Sequence, residues 1–580
     1  MNTSKKASLI RSFSLYTLIL SILSCQSGSV DPEHGESSTA TESNTTFQSS
    51  LGESSSLDVA ESSGTSSSSL ASSSSGGGNS SEGGVSSEGS VSSQAEIQSS
   101  SSAATAGSAT LRFLASDNSN LYQDIVFTLQ SDSSYLVTLV PEVDLSKIIP
   151  AFDYTGKVVY GSTELTSGVT KIDFQDTCTV TFGEKSVVFH IQRQYAIPEL
   201  DITTADSAEI TSKTEYVSCS LNIDAKNMYA DYSATDARIR LRGNSTRLYY
   251  DKKPYRIKLG SKAALLGLKA DKDWVLLANY RDPTNFMNAA TFDMARYLEM
   301  PYTNSNRFVE IYLNGSYIGM YQFTEQVEQG DNRVAIDEAT GLLLSLDLDD
   351  GPDLSPDATD NFSSSVYELP VCVKNPDDRT SAQLDSIQEI FAQVENLMKA
   401  GDYDSLQAHL DVQSFIDFLI IQEITRNVEL VSPRSMYMYQ TSDQMWHFGP
   451  VWDFDGGFAF DWASMTTGHN YFGSQTWLMG SSNPSTHPDD AYNEIPGFFV
   501  DMFASESFVD AYQTRWNEVG TGMLEYVDQQ LDDYVQHCDS AMARNAARWP
   551  IDKDYTTEIA NLRSWLATRV SNYSSVVSGY

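Results

Sequence analysis

Between residue 26 and about residue 107 the chain has no lysine, no arginine and ten acidic residues, set among serine, glycine, threonine and alanine. A segment of that composition cannot bury enough apolar surface to offset the entropy of ordering its backbone. Folding is thereby confined to residues beyond about 107, and residues 26–107 read as a disordered Ser-rich linker. Its hydroxyls offer sites for glycans or phosphates; an inert spacer is the simpler reading. Ahead of it, Lys5, Lys6 and Arg11 precede a short apolar run from Leu15 to Leu23. That run is too short for an ordinary membrane span and fits a targeting segment. It ends Ile22-Leu23-Ser24-Cys25, which resembles a bacterial lipobox. Residues 1–25 are therefore expected to be a lipoprotein signal peptide. Lipidated Cys25 would then hold the mature chain, extracytoplasmic, on the outer membrane or cell surface. A plain signal peptide cut nearby is the alternative.

The whole chain has 580 residues, 40% of them hydrophobic and 11% aromatic, which is ample for a sizeable core. Its net charge of −40 repels polyanions, so nucleic acid is not expected as a partner. Any phosphate chemistry needs a local basic pocket. Beyond Cys25, the cysteines Cys178, Cys219, Cys372 and Cys538 are too widely spaced for a zinc pattern. Export permits disulfides, and four separate buried thiols is an equal reading. The seven histidines show no zinc-hydrolase spacing.

Residues 108–204 read as a small all-β sandwich of immunoglobulin-like type. Short β-branched runs at 111–114, 125–129, 135–139, 158–160 and 186–191 are separated by turn residues. From 205 to 580 the pattern is α+β. Arg238-Ile-Arg-Leu-Arg-Gly-Asn-Ser245 and Lys252-Lys-Pro-Tyr-Arg-Ile-Lys-Leu259 are predicted strands that concentrate Arg and Lys. Such donors suit phosphate, although strand cations also serve simply to solvate an edge. Pro283 is expected in the first turn of a helix carrying Met287, Ala290, Met294 and Leu298. Asn314-Gly315 predicts a type I′ hairpin, and Glu325 closes its second strand. The acidic run from Asp347 through Asp349, Asp350, Asp353 and Asp357 reads as a solvated loop, since it lacks the register of a calcium-binding loop. Helical spacing marks 380–427 and 496–580.

The stretch Trp446-His-Phe-Gly-Pro-Val-Trp-Asp-Phe-Asp-Gly-Gly-Phe458 carries the strongest chemical signal. Asp453 and Asp455, two residues apart at a strand end, would point the same way. Two close carboxylates repel and call for a cation, and hard oxygen ligands suit Mg²⁺ or Mn²⁺. Gly456 and Gly457 would allow a sharp turn beside the ion. The bland alternative is a strand ending in two solvated aspartates.

Taken in order, several motifs resemble the CotH family, the spore coat protein H-like atypical protein kinases. They are Leu241-Arg-Gly-Asn-Ser245, Lys253-Pro-Tyr-Arg-Ile-Lys258, Lys272-Asp-Trp-Val-Leu-Leu-Ala-Asn279, Arg307-Phe-Val-Glu-Ile-Tyr-Leu-Asn-Gly315, Thr324-Glu-Gln326, Gly449-Pro-Val-Trp-Asp-Phe-Asp455 and Arg548-Trp-Pro550. The resemblance covers about 205 to 575. It implies an atypical protein-kinase-like domain using ATP with Mg²⁺ or Mn²⁺. Asp453 and Asp455 would bind metal, Arg242, Lys253, Lys258 and Glu325 would serve the nucleotide, and Glu429 with Asp453 would be catalytic. The implied activity moves the ATP γ-phosphate to Ser or Thr of a surface protein, the chain's own linker included. Two positions depart from the family pattern. Asn427-Val428-Glu429 stands where the family often has Asn-x-Asp, and Ser345 stands where it commonly has Glu. A catalytically weak or inactive surface-binding scaffold is therefore the alternative. A glycan-cleaving reading is weaker, because Asp453 and Asp455 sit too close for the usual two-carboxylate geometry.

Overall fold

The computed structural model describes residues 110–580, apart from 354, 356, 357, 378, 461–468, 470, 472 and 480–494. Cys25, the signal peptide, the linker and Asp357 lie outside the described residues.

Residues 111–193 form two sheets. In the smaller, Leu111–Phe113 pairs with Ile125–Val126 and Pro150–Phe152. The larger runs Thr128–Leu129, Tyr135–Leu139, Lys185–Arg193, Thr177–Phe182, Val158–Tyr160, Thr163–Leu165. Alternation sets the inner face: Val187, Phe189 and Ile191 are buried, while Val188 between them is exposed. Phe113 meets Phe174 and Phe127 edge to face, at centroid distances of 4.9 and 5.7 Å. Phe127 continues the contact to Phe189 at 5.1 Å.

Seven strands then close a barrel. The order is Glu199–Thr204, Val217–Asp224, Tyr232–Leu241, Tyr255–Ala263, Asp271–Leu277, Ser316–Glu325, Arg307–Leu313, and the last lies parallel to the first. Closure leaves no open edge in this sheet. Because Glu199–Thr204 pairs on both sides within the barrel, the barrel starts ahead of residue 205. Leu200, Leu221, Ile239, Ile257, Trp274 and Tyr321 fill it. Asn314 and Gly315 both have positive φ, 51° and 75°, as a type I′ turn requires.

The helix Met287–Tyr297 is buried from Met287 to Ala295 and packs against the helices Glu506–Arg548 and Val412–Ile424. It starts later than the sequence predicts. Asp282 accepts from the Thr284 amide (2.7 Å), the Thr284 hydroxyl (2.6 Å) and the Met287 amide (2.7 Å). Those bonds stabilise a turn that holds Pro283 outside the helix.

A second sheet has the order Asn361–Ser363, Pro370–Asn375, Leu342–Leu346, Met436–Gln440, Trp446–Phe448. The helix Ser381–Ala400 begins with a Thr380/Gln383 capping box and ends at left-handed Gly401. The helix Val412–Ile424 is buried except at Gln413, as expected of a helix apolar on every side. Two long helices, Glu506–Arg548 and Tyr555–Val577, complete the layer. The described residues pack as one compact unit. No helix among the described residues is long and apolar enough to cross a membrane.

Cys178, Cys219, Cys372 and Cys538 are free thiols, which decides the choice the sequence leaves open. Burial pushes the Cys219 thiol up to about 11 and the Cys372 thiol up to about 12. Alkylation of the unreduced protein, read by intact mass, is expected to be slow at these four sites when folded and complete at all four after denaturation. Reductant is expected to leave the melting temperature unchanged.

Candidate functional site

The hairpin of Met436–Gln440 and Trp446–Phe448 delivers the chain to Gly449-Pro450 and then to buried Val451 and Trp452. Trp452 stacks on Phe292 of the buried helix, with centroids 5.9 Å apart. Next, Asp453 takes a left-handed conformation, φ 63° and ψ 60°. Phe454–Gly456 forms a single 3₁₀ turn that carries Asp455. The aspartates therefore lie in a turn and not on a strand end, and the alternation of a strand does not orient them. The glycines also act differently from expectation. Gly457 has an ordinary φ of −82°. A Cβ there would sit 3.3 Å from the Phe454 carbonyl and 3.5 Å from that of Thr425. The need is for close approach, since the Phe458 amide donates to the Thr425 carbonyl at 2.6 Å.

A relay of buried amides fixes the turn. The Phe454 amide donates to Asn288 Oδ1 (2.8 Å), and Asn288 Nδ2 donates to Asn279 Oδ1 (3.2 Å). Asn279 Nδ2 donates to Gln322 Oε1 (3.0 Å), and Gln322 Nε2 donates to Asn306 Oδ1 (2.7 Å). The barrel thus positions the aspartate turn through four side chains, each with its polar atoms used.

Three carboxylates share this place. Asp455 Oδ1 pairs with Arg281 Nη1 at 3.3 Å, and its Oδ2 accepts from Thr246 Oγ1 at 3.4 Å. Asp453 and Glu429 have no hydrogen bond or ion pair through their carboxylates among the described residues. Both are held well above the usual carboxylate range, first by burial and then by like charge. For Asp453 the neighbour is Asp455; for Glu429 it is Asp453. Arg242 and Arg281 oppose the effect at Asp453, and Arg434 and Arg281 oppose it at Glu429. Arg242 lies over the Trp452 ring at 5.3 Å, without a carboxylate in ion-pair contact among the described residues. The structure thus brings together Arg242, Glu429, Asp453 and Asp455.

Other expected site residues are placed elsewhere. Lys253 Nζ donates to the carbonyls of Arg247 (2.9 Å) and Tyr250 and secures that loop. Lys258 pairs with Asp273 at 3.1 Å. It lies opposite Arg238, four residues and about 13 Å of strand from Arg242. Buried Glu325 accepts from the Ser305 amide at 2.7 Å and pins the loop before the Arg307–Leu313 strand. Each of the three is occupied by a structural contact.

Sequence reasoning missed two residues. Arg281, its side chain 1% exposed, also donates to Ser245 Oγ at 3.2 Å and lies over the Phe460 ring at 4.6 Å. No local pattern marks it in the sequence. Asp347 accepts from the Ser435 amide at 3.3 Å, and burial with Asp350 and Asp349 pushes it up to about 6. Its field reaches Asp453. The acidic run is not simply solvated here: Asp349 pairs with Arg434 (3.2 Å) and Asp350 with Lys374 (3.1 Å).

Among the described residues no three or more His, Cys, Asp or Glu side chains are grouped as a metal cage. Mg²⁺ is ordinarily held by one or two carboxylates with water and phosphate. A half-buried Asp453, without a partner among the described residues and beside Asp455, fits that need.

A family model described as CotH kinase protein matches residues 239–573, more than half of the chain. The match starts inside the Tyr232–Leu241 strand and takes in every residue of the cluster. No curated protein matches the chain.

Carboxyls with raised folded-state pKa lose protons first in the unfolded chain, so stability falls as pH rises above the ordinary carboxylate range. The melting temperature of the metal-free protein is expected to drop between about pH 5 and about pH 8. Glu429→Gln should flatten that slope, as followed by thermal scanning. Mg²⁺ should raise the melting temperature more at the higher pH.

Proposed function

The chain belongs to the CotH kinase protein family, and on that premise we propose that it transfers the γ-phosphoryl group of ATP to a Ser or Thr hydroxyl of an extracytoplasmic protein. The observation that carries this reading is the pair Asp453 and Glu429, both half-buried and without a hydrogen-bond or ion-pair partner among the described residues, set with Asp455 in the field of Arg242 and Arg281. Chain order supports it. Glu429 follows a buried helix, a hairpin intervenes, and Asp453 comes next, the order in which protein kinases set their base and their metal aspartate.

Each residue has a task. Glu429 accepts the proton of the acceptor hydroxyl as that oxygen bonds to phosphorus and the bond to the leaving ADP oxygen breaks. Its raised pKa suits a base working near neutrality. Arg242 and Arg281 place fixed positive charge where the phosphate charge spreads. Asp453 and Asp455 would hold the divalent cation, which neutralises phosphate oxygens when bound. Partial burial of the cluster strengthens the interactions of these charges. Lipidated Cys25 would keep the chemistry outside the cytoplasm, with the immunoglobulin-like module as spacer and a Ser/Thr-bearing surface protein, the linker of this chain included, as acceptor.

One observation favours a second reading. Ser345, where the family commonly has Glu, buries a hydroxyl that has no hydrogen-bond partner among the described residues. A missing charge there fits a kinase-fold lipoprotein that binds without transferring.

With γ-labelled ATP and Mg²⁺ or Mn²⁺, the purified full chain is expected to label itself or an added Ser-rich peptide. Asp453→Ala should abolish the label, and Glu429→Gln should slow it about 100-fold or more. Metal-dependent nucleotide binding without label would establish the second reading, and absence of binding would remove ATP from both.

A further inference from the structure

Four cations on one face of the barrel have no carboxylate partner among the described residues, in a chain with 77 acidic and 37 basic residues. They are Lys213, Arg238, Arg240 and Arg247. Their strand neighbours Arg256 and Lys258 both pair with Asp273. Arg238 and Arg240 alternate with buried Ala237, Ile239 and Leu241, so they point outward. Both guanidinium groups lie by the Tyr216 ring, at 5.5 and 5.0 Å. Arg240 donates to the Lys213 carbonyl, and Lys213 Nζ donates to Asn244 Oδ1 at 3.1 Å. Asn244 precedes the short helix Ser245–Tyr249. That helix carries Thr246 to Asp455 and leaves Leu248 and Tyr249 57% and 68% exposed. Glu215 and Asp236 lie among these cations in sequence, Asp236 is folded over Gly260, and Asp349, itself paired with Arg434, accepts from Asn244 Nδ2 at 3.5 Å. The cations therefore keep an excess at a rim that runs directly into the carboxylate cluster.

We propose that this rim docks an acidic, hydroxyl-rich polypeptide, and that its occupant is the 26–107 segment of this sequence offered in trans by a second copy. The chemistry is complementary. The segment has ten acidic residues and no lysine or arginine, and its hydroxyls are the acceptor class of the proposed reaction. Leu51, Leu57 and Val59 alternate with its acids and suit Leu248 and Tyr249. Unpaired cations at an interface rim select partners by charge and speed their encounter. The acceptor role rests on the proposed kinase activity, but the docking does not, and the two are read separately.

The probe is a fluorescein-labelled peptide of residues 51–70, titrated with the full chain without nucleotide and followed by anisotropy. Arg238→Glu with Arg240→Glu is expected to weaken binding about tenfold or more. A peptide with Glu53→Gln, Asp58→Gln and Glu61→Gln should bind the unaltered chain equally poorly. A peptide with Glu53→Lys, Asp58→Lys and Glu61→Lys should regain affinity for the double-Glu variant, which no folding defect can produce. Binding that ignores these charges would overturn the proposal. So would a double-Glu variant that loses ATP affinity and keeps the peptide, since the rim would then belong to the nucleotide. Charge-dependent binding in a chain that transfers no phosphate would uphold the dock while removing the kinase reading.

Discussion

The site depends on a buried ion pair remote from its chemistry. Arg569 and Glu423 are both fully buried, and Arg569 Nη2 meets Glu423 Oε1 at 3.0 Å. Taking two charges out of water costs several kcal/mol per ion unless their other lone pairs and protons are used. Here they are. Arg569 also donates to the carbonyls of Ile424 (2.8 Å), Gly473 (2.7 Å) and Thr476 (2.8 Å). Glu423 accepts from the Leu478 and Met479 amides at 2.9 and 2.7 Å. The pair thus welds the C-terminal helix to the end of Val412–Ile424 and to the 473–479 segment. Glu429 lies five residues beyond that end, and Phe458 is bonded to Thr425 just after it. Glu429 and the aspartate turn are both hung from this one joint.

The barrel supplies the second support, through the amides Asn306, Gln322, Asn279 and Asn288. Two fixed ends explain how Asp453 is kept in a left-handed conformation that a non-glycine residue rarely holds. They also explain how three carboxylates stay together against their own repulsion. In the structural joints every charge is matched: Arg569 with Glu423, Arg515 with Asp417, Arg544 with Glu310. At the site Asp453 and Glu429 are left unmatched. Like-charged carboxylates held together without partners of their own cost stability, and groups perturbed in this way cluster at functional sites.

How much of this could be read from residues alone varied with the range of the physics involved. Period-two alternation is local, so the runs at 111–114, 135–139 and 186–191 predict strands, and Asn314-Gly315 predicts its turn. The Asp453/Asp455 pair was visible as composition. Its conformation was not, because a positive φ at Asp453 is imposed by Asn288 and Thr425, 165 and 28 residues away in sequence. Lys253, Lys258 and Glu325 looked like ligands because a cation or carboxylate reads the same in sequence whether or not a partner waits for it. Tertiary structure gave them carbonyls, Asp273 and the Ser305 amide. Arg281 was overlooked for the converse reason: a single arginine before Asp282-Pro283 has no pattern, and only folding brings Asp455 to it. Asp347 was hidden in an acidic run whose composition signals solvent exposure.

Net charge then makes demands on where cations are left. A chain at −40 repels phosphate and acidic peptides alike. With acids outnumbering bases about two to one, most exposed lysines and arginines will find a carboxylate and their fields will cancel within a Debye length. An anion can be held only where cations are kept from doing so. Two devices achieve this here. Stacking on aromatic rings occupies Arg242 on Trp452 and Arg238 with Arg240 on Tyr216, and a ring screens no charge. Bonding to neutral acceptors occupies Lys213 on Asn244 and Arg247 on the Gly243 carbonyl, which orients a cation without neutralising it. The same stretch that shows basic concentration in the sequence is thereby converted into positive potential, and it borders the carboxylates where that potential has work to do.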